Sequence, residues 1–438
     1  MSERAARTLL TLYRYAGAAA YPLMGPYVAW RASKGKEDKG RTRERYGFAG
    51  HERPEGPLIW VHAASVGETI AVVPLVQTIL GYGVNVVLTT GTVTSAKVVR
   101  ERLGDSVLHQ YVPLDLKPAV SRFLEHWNPD LAIIAESEIW PMTILELGAR
   151  NVPQVLVNGR MSDRSFASWK KRASLAEALF ENLAHVVAQS EIDGERFRAL
   201  GARPVTVSGN LKVDTLPPPV DEKALQTITC QIGKRPTWAA VSTHEGEEQM
   251  AAEIHAALRK RHPGLLTIVV PRHPPRADEL AQQISSMGLK LVRRSSGEPV
   301  AADTDILLGD TIGEMGLYLR LTEIAFVGRS LTGTGGQNPL EPAMLDTAVL
   351  SGKNVQNFRD SYKNLLERGG VKLVRDRNML AGAVNYLLLN EEARRNMIAA
   401  AAATVQDMRG ALAATMKALE PFIHPLIVQA RLRRASKG

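Results

Sequence analysis

The sequence predicts an α/β protein made of two doubly wound parallel-sheet units, preceded by a separate N-terminal segment. Three observations predict it. From residue 46 onward, short apolar runs alternate with longer helical stretches, the pattern of parallel strands joined by crossover helices. The alternation is broken once, by "LPPPV" at 216–220, where three successive prolines fit neither a helix nor a central strand. The length, 438 residues, exceeds what one ordinary core holds.

The N-terminal segment comes first. From Tyr15 to Trp30 ("YAGAAAYPLMGPYVAW") the chain carries no charge. A spanning helix needs about 20 apolar residues; this run is shorter, rich in Ala and Gly, and broken by Pro22 and Pro26. Its tyrosines and Trp30 suit a membrane interface. The following "RASKGKEDKGRTRER" has seven Lys/Arg against three acids, a flank suited to the anionic cytoplasmic leaflet. Residues 1–45 are therefore expected to anchor the protein at a membrane, lying in the interface rather than spanning it. A helix packed on the body of the protein is the alternative.

The first unit, 46–212, has strand candidates at 58–62, 84–90, 131–136, 154–158, 185–189 and 205–209. A linker, 213–236, holds the prolines. The second unit, 237–405, has candidates at 237–243, 265–270, 289–294, 305–309, 323–328 and 347–352. An alanine-rich helical stretch leads into a terminal helix and basic tail, 406–438. Two such units face a cleft, and ligands of such sheets bind off the carboxyl ends of the strands.

Polar groups gather at those ends. In "IWVHAASVGET" (59–69) a buried strand runs into Ser65, Gly67 and Glu68, the last in a first helical turn. A carboxylate there is by itself a favourable helix-dipole partner; the glycine beside it lets a substrate approach the backbone. "AESEIW" places Glu136, Ser137 and Glu138 after the third candidate. "NGRMSDRS" places Asn158, Arg160, Ser162 and Arg164 after the fourth, and "SGNLKVD" places Asn210 and Lys212 after the sixth. In the second unit "STHEGEE" brings Ser242 and Thr243 to a helix start, a place for an anion. "PRHPPR" adds Arg272 and His273, and "GGQNPLEPA" adds Gly335, Gly336, Gln337, Asn338 and Glu341.

The formal charge of +9 points to an anionic partner: nucleic acid, anionic lipid or a phosphorylated substrate. No aromatic-interleaved basic motif of the kind that grips single strands occurs. Cys230 is the single cysteine, which excludes a disulfide framework and a cysteine zinc site and suits an intracellular chain. "HEGEE" lacks a second histidine four residues after His244, so it is no zinc helix, and no metal site is expected.

Taken in order, "RERYGF", "IWVHAASVGET", "ESEIWP", "NGRMSDRS", "GNLKVD", "STHEGEE", "PRHP" and "GGQNPLEPA" resemble the Kdo transferases of lipopolysaccharide assembly. These enzymes move 3-deoxy-D-manno-oct-2-ulosonic acid (Kdo) from CMP-Kdo to a lipid A precursor. Single matches such as "PRHP" are cheap; the ordered set, from Arg43 to Ala343, is specific. The resemblance implies a GT-B glycosyltransferase fold and an inverting, metal-independent single displacement with no cofactor beyond the CMP-Kdo substrate. It implies a place on the cytoplasmic side of the Gram-negative inner membrane, with no nucleic acid as partner. Glu68 falls on the family's general base. Ser65, Gly67, Glu136, Glu138, Arg160 and Lys212 are expected on the acceptor side. Ser242, Thr243, Arg272, His273, Gly335, Gly336, Gln337, Asn338 and Glu341 are expected on the donor nucleotide, Glu341 at the ribose. This chain departs from the family at Val241 (usually Gly), at "NGRMSDRS" (usually "NARLSERS") and at Gln337 (usually His). The last matters most, because an imidazole beside a phosphate carries charge and an amide cannot.

Three other readings stand beside this one. A two-domain transferase using a UDP-sugar, such as a lipid A disaccharide synthase, differs in the nucleotide that raises its melting temperature. A catalytically silent membrane-associated binding protein would not keep Glu68, Arg272 and Glu341. A basic nucleic-acid binder would lose affinity steeply with salt.

Overall fold

A computed structural model describes residues 3–437; residues 1–2 and 438 of the expected terminal segments lie outside them. The chain divides into two compact units, one of residues up to 215 with those from 409 on, the other of residues 216–408.

The first unit holds β1 (Leu58–Ala63), β2 (Asn85–Thr90), β3 (Leu108–Tyr111), β4 (Leu131–Ala135), β5 (Gln154–Gly159), β6 (His185–Ala188) and β7 (Val205–Val207). They form one parallel sheet in the order β3-β2-β1-β4-β5-β6-β7. Both faces are covered. Leu58 and Trp60 point into a layer with Phe123, Trp127 and Phe180, while Ile59 and Val61 meet Val72, Leu75 and Ile79 on the other side. A strand buried on both faces reads as an unbroken apolar run, which is why β1 shows no alternation.

The end of the chain belongs to this unit. In the helix Ala411–Lys437, Leu419, Ile423 and Leu426 are buried in the same layer as Ile59 and Val61. Asp214 fixes its start by accepting the N–H groups of Gly410 (2.9 Å) and Leu412 (2.5 Å). By length and composition, residues 391–435 pass for a membrane span. They are two helices, Glu391–Asp407 and Ala411–Lys437, and the apolar side of the second is packed on the sheet.

At the other end, the uncharged run breaks at Pro22 into the helix Glu3–Ala20, a turn Tyr21–Leu23 and the helix Met24–Ser33. Leu10 is buried against Leu145, Leu175 and Ala178. Arg14 pairs with the buried Glu146 at 2.5 Å, and the Tyr21 hydroxyl accepts from Arg122 at 2.9 Å. One side of this segment is thus packed on the body of the protein. Leu9, Leu12, Tyr13, Tyr15, Leu23, Tyr27 and Trp30 remain exposed. The basic flank divides by residue type. Arg31 and Arg45 share Glu37 at 2.6 and 2.7 Å, and Arg41 takes Glu44 at 2.7 Å. Lys34, Lys36 and Lys39 stay exposed. Planar guanidinium groups suit buried carboxylates, whereas the strongly hydrated ammonium keeps to water.

The second unit holds β8 (Thr237–Thr243), β9 (Leu266–Pro271), β10 (Leu291–Arg293), β11 (Ile306–Leu308), β12 (Ile324–Val327), β13 (Ala348–Ser351) and β14 (Val371–Leu373), all parallel, in the order β10-β11-β9-β8-β12-β13-β14. The stretch expected as linker contains a helix of this unit, Glu222–Ile232. The prolines before it are held, the Pro218 carbonyl accepting from Arg320 at 2.9 Å. Strands β3 and β14, at sheet edges, are additions to the sequence reading.

Each sheet reverses its winding once, between β1 and β4 in the first and between β8 and β12 in the second. At such a point the crossovers leave in opposite directions and open a crevice off the strand ends.

Candidate active site

In the first unit the crevice is lined by carboxylates. Ser65 caps the helix Val66–Gly81, its hydroxyl accepting from the Glu68 N–H at 3.4 Å and donating to Glu68 Oε1 at 2.7 Å. Glu68 Oε2 accepts the Ala64 N–H at 2.8 Å. This is a Ser-x-x-Glu cap related to the capping box, with the glutamate taking the N–H one residue before the N-cap, so Glu68 does help to start its helix. Across the reversal point, Glu136 follows β4 with φ +55°, a left-handed backbone that a glutamate rarely adopts. Lys212 pairs with Glu136 Oε1 at 2.5 Å and lies 3.9 Å from where a Cβ on Gly67 would stand. Arg160 joins through its main chain, its N–H donating to the Glu136 carbonyl at 3.4 Å and its carbonyl accepting from Ser137 at 2.9 Å. Glu138 Oε2 accepts the Trp140 indole N–H at 2.6 Å and lies 3.8 Å from His62 Nε2. The structure brings Ser65, Gly67, Glu68, Glu136, Glu138, Arg160 and Lys212 to neighbouring strand ends of one unit.

These carboxylates differ in basicity. Burial raises the Glu68 pKa above the ordinary range, and the charges of Glu136 and Glu138 add to that, against the hydrogen bonds from Ser65 and Ala64. For Glu138 burial also acts upward, but the facing His62 and the Trp140 N–H outweigh it and hold the group below its usual value. A pair of carboxyl groups pushed apart in this way is how one site holds a base and a fixed charge at the same pH.

Asn158, in β5, ties this site together; the sequence places it at a strand end but gives it no role. Buried and also left-handed (φ +51°), it accepts the Leu211 N–H at 3.0 Å and donates to Glu136 Oε1 at 3.5 Å. It thereby sets the turn Leu211–Val213 that carries Lys212. An asparagine just after an apolar run was the visible signal, since Asn adopts this conformation more readily than most residues.

In the second unit the reversal point is organised by Glu247, a residue of "STHEGEE" that the sequence reading did not single out. Its buried carboxylate accepts the N–H groups of Arg329 (2.6 Å), Ser330 (3.0 Å), Leu331 (3.1 Å) and His244 (3.0 Å). The loops after β8 and β12 are thereby locked together. Ser242 and Arg329 are both left-handed, φ +53° and +56°. A Cβ on Gly328 would sit 2.6 Å from the Ser242 carbonyl, so no other residue fits there. Thr243 is buried, and its carbonyl accepts the Arg272 N–H at 3.0 Å. Arg272 and His273 are exposed, His273 meeting His244 edge-on at 5.5 Å.

The Gly-Gly turn is held from beneath by the loop after β13. Gly335 N–H donates to Gln356 Oε1 at 3.0 Å, Gly336 N–H to the Arg329 carbonyl at 3.2 Å, and the Gln337 carbonyl accepts from Tyr362 at 3.3 Å. Asn338 caps Leu340 N–H at 3.1 Å and reaches Glu341 Oε1 at 3.4 Å. The two glycine N–H groups, and that of His244 before the helix Glu247–Leu258, are thus engaged within the chain.

Two parallel seven-stranded doubly wound sheets with polar residues off their reversal points define a GT-B-like fold. A solved glycosyltransferase from Rickettsia africae ESF-5 superposes with a TM-score of 0.59 over 84% of this chain and 99% of its own, at 13% identity. A UDP-N-acetylglucosamine 2-epimerase gives 0.54 over 79% and 91%, at 11% identity. Sequence narrows the class. Residues 40–215 match the family model for 3-deoxy-D-manno-octulosonic-acid transferase (kdotransferase). The 3-deoxy-D-manno-octulosonic acid transferase of Haemophilus influenzae is 36% identical over 414 residues, 92% of this chain and 96% of that one. Its counterpart in Bordetella pertussis is 38% identical over 394 residues, 86% and 91%. The chain belongs to the Kdo transferase family.

Proposed function

We propose that the protein transfers Kdo from CMP-Kdo to a lipid A precursor of the lipid IVA type, by an inverting single displacement in lipopolysaccharide inner-core assembly. Glu68 is the general base. One observation carries this assignment: Glu68 has a raised proton affinity, while Glu138 in the same crevice is held ionised. A sugar hydroxyl is a poor nucleophile until its proton leaves as the new bond forms, and a carboxylate of raised pKa takes that proton better. Glu136 and Glu138 supply negative charge for an oxocarbenium-like centre, and Lys212 offsets the accumulated charge where another site would use a metal ion. The proposed step is therefore metal-free.

CMP leaves from the second unit, where Arg272, His273 and Ser242 bind the phosphate, the buried Thr243 holds the strand end beneath them through its hydroxyl on the Val270 carbonyl at 3.3 Å, and Gln337, Asn338 and Glu341 bind the nucleoside, with Gly335 and Gly336 shaping the turn. The exposed apolar residues between Leu9 and Trp30, with Lys34, Lys36 and Lys39, are proposed to dock the protein on the anionic cytoplasmic face of the inner membrane, where a lipid acceptor resides. The test is mass spectrometry of a lipid A precursor incubated with the protein and CMP-Kdo. Added Kdo mass that disappears in Glu68→Gln is expected; addition from a UDP-sugar instead would overturn the donor.

A further inference from the structure

His62 is the last but one residue of β1 and 1% exposed, yet its Nε2 makes no hydrogen bond within the described residues. A polar atom left like this in a buried place costs stability. His62 Nδ1 lies 2.9 Å from Thr89 Oγ1, on the neighbouring strand β2. The same hydroxyl oxygen lies 2.8 Å from Trp60 Nε1. An indole N–H can only donate, so Thr89 Oγ1 accepts from Trp60. A hydroxyl oxygen has a second lone pair, so Thr89 Oγ1 can meet His62 Nδ1 either as donor or as acceptor. Glu138 favours the first: its Oε2 lies 3.8 Å from His62 Nε2, which then carries the ring proton. The other tautomer, with Nδ1–H donating to the Thr89 carbonyl at 3.2 Å, would turn a bare Nε2 lone pair toward that carboxylate.

We propose that His62 is a positioning residue for Kdo transfer: with Thr89 donating to Nδ1 and the ring proton on Nε2, it attracts the Glu138 carboxylate into its place in the crevice that holds Glu68. Trp60, Thr89, His62 and Glu138 form one line from the sheet interior to the crevice, and Trp140 holds Glu138 from the solvent side. The proposal rests on the reading of Glu68 as base, because Glu138 acts on the reaction through the charge it places next to that group.

Three measurements test it. In the full chain labelled with ¹⁵N-histidine, the His62 signals should report a protonated Nε2 and an unprotonated Nδ1. The reverse would overturn the proposal whatever Glu68 does. In kinetics, His62→Phe should lower kcat by up to roughly 100-fold, the cost of a misplaced group, with the CMP-Kdo KM unchanged. His62→Gln, whose amide N–H reaches the Nε2 position, should restore most of the rate. Equal losses in Phe and Gln, or none in Phe, would overturn it. If the buried Phe prevents folding, Thr89→Val serves, since it keeps the ring but removes the hydroxyl that donates to Nδ1. An unchanged His62 spectrum and kcat in that variant would also overturn the proposal. Glu68→Gln separates the two claims: full activity there with a His62→Phe defect rescued by Gln would sink the base and leave His62 a positioning residue.

Discussion

Glu68 has two jobs that pull on the same atoms. As the last residue of its helix cap it accepts from Ala64 and Ser65, and as a base it must release those partners' hold far enough to take a proton. A substitution can separate the roles, because glutamine serves a capping box as well as glutamate does but cannot accept a proton near neutral pH. Glu68→Gln should therefore lower Kdo transfer by about 10²- to 10⁴-fold with the melting temperature unchanged. A variant with near-normal turnover would leave Glu68 a helix-start residue alone. The pH profile gives a second reading of the same group. Burial and the charges of Glu136 and Glu138 raise the Glu68 pKa, so the acid limb of kcat/KM should lie above the usual carboxylate range. Glu136→Gln deletes one of those charges, which favours the ionised form of Glu68. The limb should then move to lower pH; movement the other way would mean that Glu68 does not set it. The neighbours that matter here were legible only in part. "ESE" marked Glu136 and Glu138, but no pattern shows that Glu136 takes a left-handed backbone, or that Asn158 and Glu247 spend their side chains on loop N–H groups.

Among the elements, the long central strands were legible because burial on both faces makes them apolar throughout, as in β1 and β4. The edge strand β3, "LHQY", was not, because its buried polar groups are satisfied by partners that lie far away in sequence. Gln110 accepts from the Trp127 indole at 2.7 Å and donates to the Phe48 carbonyl at 3.3 Å. His109 lies 2.9 Å from Thr90 Oγ1 and 3.1 Å from Arg41. Periodicity cannot find a strand whose inward positions are polar. His109 also makes this element pH-sensitive. Burial, followed by the nearby Arg41 and Arg100 charges, pushes its pKa down to about 3. The folded state thus binds this proton far less readily than the unfolded chain, where histidine titrates near its ordinary value of about 6.5. The associated stability is fully present above that value and is lost as pH falls toward the folded pKa, at up to about 1.4 kcal/mol per pH unit. Thermal melts between pH 7 and pH 5 should show a decline that is shallower in His109→Gln. Parallel declines in the two proteins would place the acid sensitivity elsewhere.

For the whole molecule, the second unit begins at Leu216, the first residue of the proline stretch 216–220. The return of the final helix to the first sheet was not announced, because an amphipathic helix carries no label naming the sheet that buries it. The same holds at the N-terminus, where an uncharged run followed by basic residues reads as an anchor although one side of it is packed. Leu10, Arg14 and Tyr21 bind the first unit and Val28 is buried, while Leu9, Leu12, Tyr13, Tyr15, Leu23, Tyr27 and Trp30 face outward. Deleting residues 1–30 should therefore have two separable effects. Glu146 loses Arg14 but keeps Arg150 at 2.5 Å and Ser121 at 2.9 Å, so the first unit should melt at a modestly lower temperature rather than unfold. Sedimentation with vesicles of anionic lipid should show the truncated protein released, because Leu12, Leu23, Tyr27 and Trp30 are gone and three lysines alone, worth about 1 kcal/mol each near such a surface, hold weakly. CMP affinity should be unchanged, since Ser242, Arg272 and Glu341 all belong to residues 216–408. Retention on vesicles would move the membrane contact to another surface of the molecule. Loss of CMP binding would mean that the N-terminal helices support the nucleotide site and are not there for the membrane.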